Sequence, residues 1–166
     1  MMETSGVLYH VTINFTREVC MKFELIVSLI FMVAVFAACS GKVPSNLGVT
    51  GGKLNPCPAS PNCVSSQASD EAHRIDPLSY SGSLAGAKDK LEKVITSMKR
   101  ARIVTTRDNY VHAEYTSAMF RFVDDVEFYF DDAVKTIHVR SASRLGYSDM
   151  SVNRKRVESI RELFNK

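Results

Sequence analysis

The chain lacks an apolar run long enough to cross a bilayer. Its longest, residues 25–38, has fourteen residues, whereas a spanning helix needs about 20. It also has little net charge. The formal value is +3, with no concentrated basic stripe, so a nucleic-acid partner is not expected. Cysteine is sparse at four residues, and Cys57 and Cys63 have no second pair with which to complete a zinc set. There is no phosphate-binding glycine loop, no haem-attachment motif and no G-x-S-x-G nucleophile elbow. No internal repeat is visible, and the only compositionally biased stretch outside the leader is 40–56. What remains is an ordinary globular composition of one-domain size.

The short apolar run does have a meaning. Lys22 precedes it and Ala37-Ala38-Cys39-Ser40 follows it, the layout of a secretory signal with small residues at the cut. A cysteine directly after two alanines matches a lipoprotein signal, in which the Cys39 thiol is acylated and becomes the new N-terminus. Phe36 stands three residues before Cys39, where such signals usually carry Leu, and plain secretion with cleavage near the same place is the alternative. Residues 1–39 are therefore read as the signal segment. Met21-Lys22 opens such a signal better than Met1 does, so translation is expected to begin at Met21. The implied partner is a membrane, reached through a lipid on Cys39, and the implied location is the cell envelope, facing the periplasm. Removing 1–39 takes away Arg17 and Lys22 against Glu3, Glu18 and Glu24, which leaves the mature form slightly more basic.

Residues 40–56 carry Gly41, Pro44, Ser45, Gly48, Gly51 and Gly52 and read as a flexible tether. The globular domain is assigned to 57–166. Cys57 and Cys63 flank Pro58-Ala59-Ser60-Pro61-Asn62; outside the cytoplasm an even pair reads as a disulfide. Two buried free thiols and half of a metal site are the alternatives.

The spacing of Leu84, Ala87, Leu91, Val94, Ile95 and Met98 predicts a helix over 83–98 with Ser83 as N-cap. Strands are predicted at 102–106, 110–117, 120–130 and 134–141, joined by turns at Asp108-Asn109 and Asp131-Asp132-Ala133. A last helix is predicted over 151–164 from Val157, Ile160, Leu163 and Phe164. The fold class is α+β: a four-stranded antiparallel meander with an N-terminal and a C-terminal helix packed on one face.

Alternation sorts the strand residues. Phe120, Phe122, Val126, Phe128 and Phe130 should face the helices. The other face gathers His112, Glu114, Arg121, Asp125, Glu127, His138 and Arg140. The expected role of that face is a solvated surface laced with cross-strand ion pairs, each worth less than about 1 kcal/mol; a polar binding surface is the sharper reading. Asp124 falls on the phenylalanine side, and a bulge at Asp124-Asp125 that turns one acid outward is expected.

The densest chemistry is the corner from Arg140 to Asp149. Arg140, Ser141, Ser143, Arg144, Tyr147, Asn153 and Arg154 are the candidate ligand-binding residues, with backbone amides at the helix start as anion donors. Asp149 competes, because it can cap that helix itself.

Three stretches carry a resemblance: Cys57-Pro58-Ala59-Ser60-Pro61-Asn62-Cys63-Val64-Ser65-Ser66; Phe120-Arg121-Phe122-Val123-Asp124-Asp125-Val126-Glu127-Phe128; and Arg140-Ser141-Ala142-Ser143-Arg144-Leu145-Gly146-Tyr147-Ser148-Asp149 followed by Asn153-Arg154. In this order they resemble the bacterial domain of unknown function 1499 family from about Asn55 to the end. Ser151 stands where that family more often carries glycine. The resemblance implies a small exported or membrane-anchored envelope protein and hands over no catalytic residues.

Four functions follow. The favoured one is a non-catalytic envelope lipoprotein that binds a small anionic or polar ligand, or a partner protein, with no cofactor and no metal. The alternative is a hydrolase built from Ser141, Ser143, His112, His138 and Asp125. A metal binder using His112, Glu114 and His138 ranks below it. A lipid-tethered spacer is not distinguished from the first.

Overall fold

The computed structural model describes residues 21–28 and 41–166. Residues 21–28 are helical; the proposed cut at Cys39 and the rest of the leader lie outside the described residues. No helix among the described residues is long and apolar enough to cross a membrane. The chain divides into two units, Met1–Ala38 and Cys39–Lys166, and the second carries all the elements below.

Its strands are β1 (Val49–Thr50), β2 (Lys53–Leu54), β3 (Cys63–Ser65), β4 (Leu78–Ser79), β5 (Ala101–Arg107), β6 (Tyr110–Thr116), β7 (Val123–Asp131) and β8 (Thr136–Ser143). Its helices are α1 (Leu84–Ser97) and α2 (Val152–Phe164). The class is α+β with antiparallel pairing, but the main sheet has six strands rather than four. The meander β5-β6-β7-β8 continues on its far side to β3 and β4, which pair with different parts of β8. These two additions are three and two residues long. Segments so short show no alternation in sequence; they exist because β8 offers them a ready edge.

The helices form where their apolar spacing predicts. Ser83 caps α1, its Oγ accepting from the Gly86 amide at 3.1 Å. Leu91 and Ile95 of α1 and Val157 and Ile160 of α2 are fully buried against Val111, Val126, Phe128 and Val139 of the sheet. The residue before α2, Ser151, has φ of 63°, the left-handed region that glycine occupies at least cost.

Two expectations fail at the start of β7. The strand begins at Val123, not at residue 120. Phe120 and Phe122 are exposed in the β6–β7 loop and pack on each other at 5.7 Å, and Arg121 is exposed there with φ of 55°. Neither phenylalanine belongs to the core cluster. Nor is there a bulge at Asp124-Asp125: both residues keep register with β6 and β8. The irregularity lies in β5, between Ile103 and Thr105.

Within the stretch read as a tether, β1 and β2 form a hairpin. Gly51 and Gly52 make its two-residue turn with φ of 57° and 76°, the paired left-handed conformation that such turns require. Leu54 is buried, and its amide donates to Gln67 Oε1.

Cys57 and Cys63 form a disulfide. It closes the loop that delivers Asn62 and β3 to the edge of β8. Irregular chain from 66 to 77 is then held by α2: Arg154 donates to the carbonyls of Arg74 and Ala72, and Arg161 to those of Pro77 and Asp76. Closing so small a loop stabilises by about 2 kcal/mol through the unfolded chain. The double variant Cys57→Ser/Cys63→Ser should lose about that much in urea unfolding, with unchanged far-ultraviolet circular dichroism at low urea.

Candidate functional site

Strand β7 places adjacent acids on opposite faces of the sheet, and each meets its own arginine. On the face away from the helices, Arg144 forks onto Asp125, donating from Nε to Oδ2 at 2.8 Å and from Nη2 to Oδ1 at 2.7 Å. Its Nη2 also reaches Glu114 Oε1 at 2.5 Å, while Arg102 takes the other Glu114 oxygen at 2.6 Å. His112 Nε2 donates to Asp125 Oδ1 at 2.8 Å. Glu127 accepts from Tyr110 Oη at 2.9 Å, Arg140 Nη1 at 3.0 Å and the Gly48 amide at 2.7 Å.

Alternation therefore placed His112, Glu114, Asp125, Glu127, His138 and Arg140 together correctly, Arg121 excepted. It misjudged their surroundings. The face is not solvated: His112, Asp125, Glu127 and Arg140 are all buried. The first residues of the domain lie over it, through Gly48 on Glu127 and Gly41 on Arg144. Pairs out of water are not the weak surface pairs expected; their charges are mutually dependent.

Electrostatics follow the geometry. Burial pushes the Asp125 carboxyl up, but Arg144 and His112 outweigh it and hold the group below its usual range. Glu114 is likewise lowered, burial being overcome by Arg144 and Arg102. Asp125 and then Glu114 raise Arg144 further above its ordinary value. Burial, reinforced by Glu127, pushes the Tyr110 phenol up.

On the helix face Asp124 accepts from Arg156 Nη2 of α2 at 2.5 Å. Arg156 Nη1 also reaches Asn153 Oδ1 at 2.6 Å and Ser141 Oγ at 3.2 Å, and its guanidinium stacks over the Tyr115 ring at 4.8 Å. Ser141 Oγ donates to Asn153 Oδ1 at 2.6 Å. Asn153 Nδ2 donates to the Asn62 carbonyl and to Ser143 Oγ, both at 3.0 Å. Asn62 in turn donates to the Gly146 carbonyl at 2.6 Å.

The seven candidate ligand-binding residues thus separate. Ser141, Ser143 and Asn153 meet on the helix face. Arg140 and Arg144 lie on the other face, engaged by carboxylates, with Arg140 Nε buried and unpaired among the described residues. Arg154 ties down the 72–74 backbone, and Tyr147 stands exposed. Asp149 does cap α2: its Oδ2 accepts from the Asn153 amide at 2.8 Å.

Ser141 and Ser143 point to the face opposite His112 and His138, so that set does not form a nucleophile–base pair. A different serine, Ser66, lies 3.3 Å from His138 Nδ1, where it also accepts from the Val139 amide at 2.9 Å. Burial lowers the His138 pKa. Among the described residues no three His, Cys, Asp or Glu side chains are grouped to hold a metal ion.

Sequence reading missed a cleft. The end of α1, the open end of β5–β6 and the first turns of α2 enclose about 410 Å³. Lys99, Arg100, Lys155 and Arg156 supply its cations, and Asp124 its one carboxylate, already held by Arg156. Thr116, Ser117 and Ser159 line it as well. Arg100 Nε donates to the Thr116 carbonyl, whereas the Lys99 and Lys155 ammonium groups have no ion pair among the described residues. The Lys99-Arg100 doublet was the available signal, but its approach to α2 depends on tertiary packing.

Losing Arg144 would leave the buried Asp125 carboxylate with His112 alone and the half-buried Glu114 with Arg102 alone. Arg144→Met should cost about 3–5 kcal/mol in urea unfolding at neutral pH. In the native chain, Asp125 and Glu114 have folded values below their unfolded ones. Their contribution is therefore full above pH ~4 and is lost as pH falls through the folded values. The acid-unfolding midpoint should move to higher pH in the variant.

A family model described as a protein of unknown function (DUF1499) matches residues 53–164. No curated protein matches the chain.

Proposed function

The chain belongs to the DUF1499 family, and from that premise we propose a lipid-anchored, non-catalytic module of the cell envelope that holds an anionic group in the cleft of Lys99, Arg100, Lys155 and Arg156. The observation that carries this reading is the imbalance of charge in that cleft. Four cations face one carboxylate, and two of the four are lysines without a partner among the described residues. Like charges held together repel, and an anion removes that cost as it binds. Hydroxyl groups beside them supply further hydrogen bonds to phosphate or carboxylate oxygens. Arg140 and Arg144 already neutralise Glu127, Asp125 and Glu114. The cations left without a carboxylate lie in the neighbouring cleft and not at the 140–149 corner.

The anchor rests on the leader: residues 25–38 are too short to span, and Ala37-Ala38-Cys39-Ser40 has the form of a lipoprotein cut. The partner is then the membrane that holds the lipid, and the domain lies on the periplasmic side, consistent with the Cys57–Cys63 disulfide.

Two measurements test the halves separately. Cys39→Ser should move the protein from the membrane to the soluble periplasmic fraction, and mass spectrometry of the native N-terminal peptide should show acylated Cys39; an unmodified peptide ends the anchor reading. Inorganic phosphate, compared with chloride at matched ionic strength, should raise the Tm of the native chain. Lys99→Gln/Lys155→Gln should weaken the response about tenfold, equivalent to 1.4 kcal/mol. An equal rise in the variant would remove the cleft from consideration.

A further inference from the structure

One end of the domain differs from the rest of its surface. The β6–β7 loop and the β8–α2 loop meet there, since the Arg144 amide bonds to the Val123 carbonyl at 3.1 Å and β7 and β8 pair up to Asp124 and Ser143. Met119, Phe120 and Phe122 stand out from the first loop; Leu145, Tyr147 and Met150 stand out from the second. Met119, Tyr147 and Met150 are 75%, 77% and 85% exposed. Exposed apolar loop tips gathered at one end of a domain are the kind of surface that marks an interaction site. Lys99, Arg100 and Lys155 lie beside them: the cleft they line is also lined by Ser117 and Ala118 of the first loop and by Val152, just past the second.

The chain enters the domain at the same end. Gly41 packs so closely on the second loop that a Cβ there would come within 3.0 Å of Arg144 Cβ and 3.1 Å of Leu145 Cγ. Its φ of 64° also suits glycine. Two residues of chain extend at most about 7 Å. A lipid on Cys39 is therefore held close to Leu145, whatever path those two residues take.

We infer that this end is a membrane-docking face, with the two loop tips entering the interfacial layer and the adjoining cleft taking the phosphate of an anionic lipid headgroup. This deepens the proposed function and rests on its lipid-anchor reading. Three features favour a lipid surface. Phe, Met, Leu and Tyr on loop tips suit the boundary between headgroup and acyl chain. Behind them, Lys99 and Lys155, which have no ion pair among the described residues, complement anionic headgroups. The short reach from Gly41 forces the same end toward the bilayer. By contrast Val134, in the β7–β8 turn, stands exposed at the opposite end of the sheet.

The sequence contains no tryptophan, so single tryptophans report without background. The full acylated chain, carrying Phe120→Trp, Tyr147→Trp or Val134→Trp, is reconstituted on vesicles of equal parts phosphatidylethanolamine and phosphatidylglycerol. Lipids with a quencher near the headgroup should quench at 120 and 147 at least threefold more than at 134, with blue-shifted emission at the first two. Lys99→Gln/Lys155→Gln should reduce the quenching at 120 and make it independent of phosphatidylglycerol. Equal quenching at all three positions, or none at 120 and 147, overturns the docking face. Competition by free inorganic phosphate that leaves quenching at 120 unchanged in the native chain separates a free-anion cleft from a headgroup cleft and overturns the latter. Cys39→Ser separates the two proposals. If it releases the protein from vesicles and the acylated chain shows no loop quenching, the anchor stands and the face fails. If the variant stays bound with position 120 quenched, the face stands and the anchor is dispensable.

Discussion

Two neighbouring carboxylates in a central strand impose the arrangement around them. Asp124 and Asp125 lie in β7, between β6 and β8, and both are buried. A strand sends adjacent side chains to opposite faces, so no single cation can serve both. Asp124 takes Arg156 from α2, and Asp125 takes Arg144 from the chain that leaves β8. Each arginine is held in turn: Arg156 by Asn153 and Ser141, Arg144 by Glu114. The corner between β8 and α2 is thereby clamped from both sides of the sheet. The same network reaches Asn62, beside the disulfide, through Asn153.

Such burial of charge is costly to assemble and more costly to break, since removal of one partner leaves the other uncompensated. It gives specificity of placement that an apolar contact would not. The Arg144 fork fits Asp125 in one orientation, and the Glu127 carboxylate has distinct donors from Tyr110, Arg140 and Gly48. The family match spans residues 53–164 and takes in all of these partners except Gly48.

Much of this was legible in the sequence and some was not, for identifiable reasons. Helix periodicity placed Leu91, Ile95, Val157 and Ile160 in the core, because a four-turn apolar stripe has one solution. Strand alternation put His112, Glu114, Asp125, Glu127 and Arg140 on one face for the same reason. What alternation does not carry is whether a face is wet. That was decided by residues 41–54, whose glycines read as looseness but make a turn and a close contact. The adjacent acids suggested a bulge because their arginines, 32 and 19 residues away, could not be assigned to opposite faces beforehand. Strands β3 and β4 were invisible because two or three residues hold no period. The cleft at Lys99 and Lys155 needed two helix ends to be brought together, which is a property of packing alone.

The hairpin that closes over Glu127 has an unusual place in time. Its Gly48 amide lies 79 residues ahead of the carboxylate it meets. Residues near the N-terminus are synthesised first, yet these have nothing to rest on until β7 and β8 have been made. The charged layer is open to water until then. Its drying requires the earliest segment to return to strands that are completed some 79 residues later.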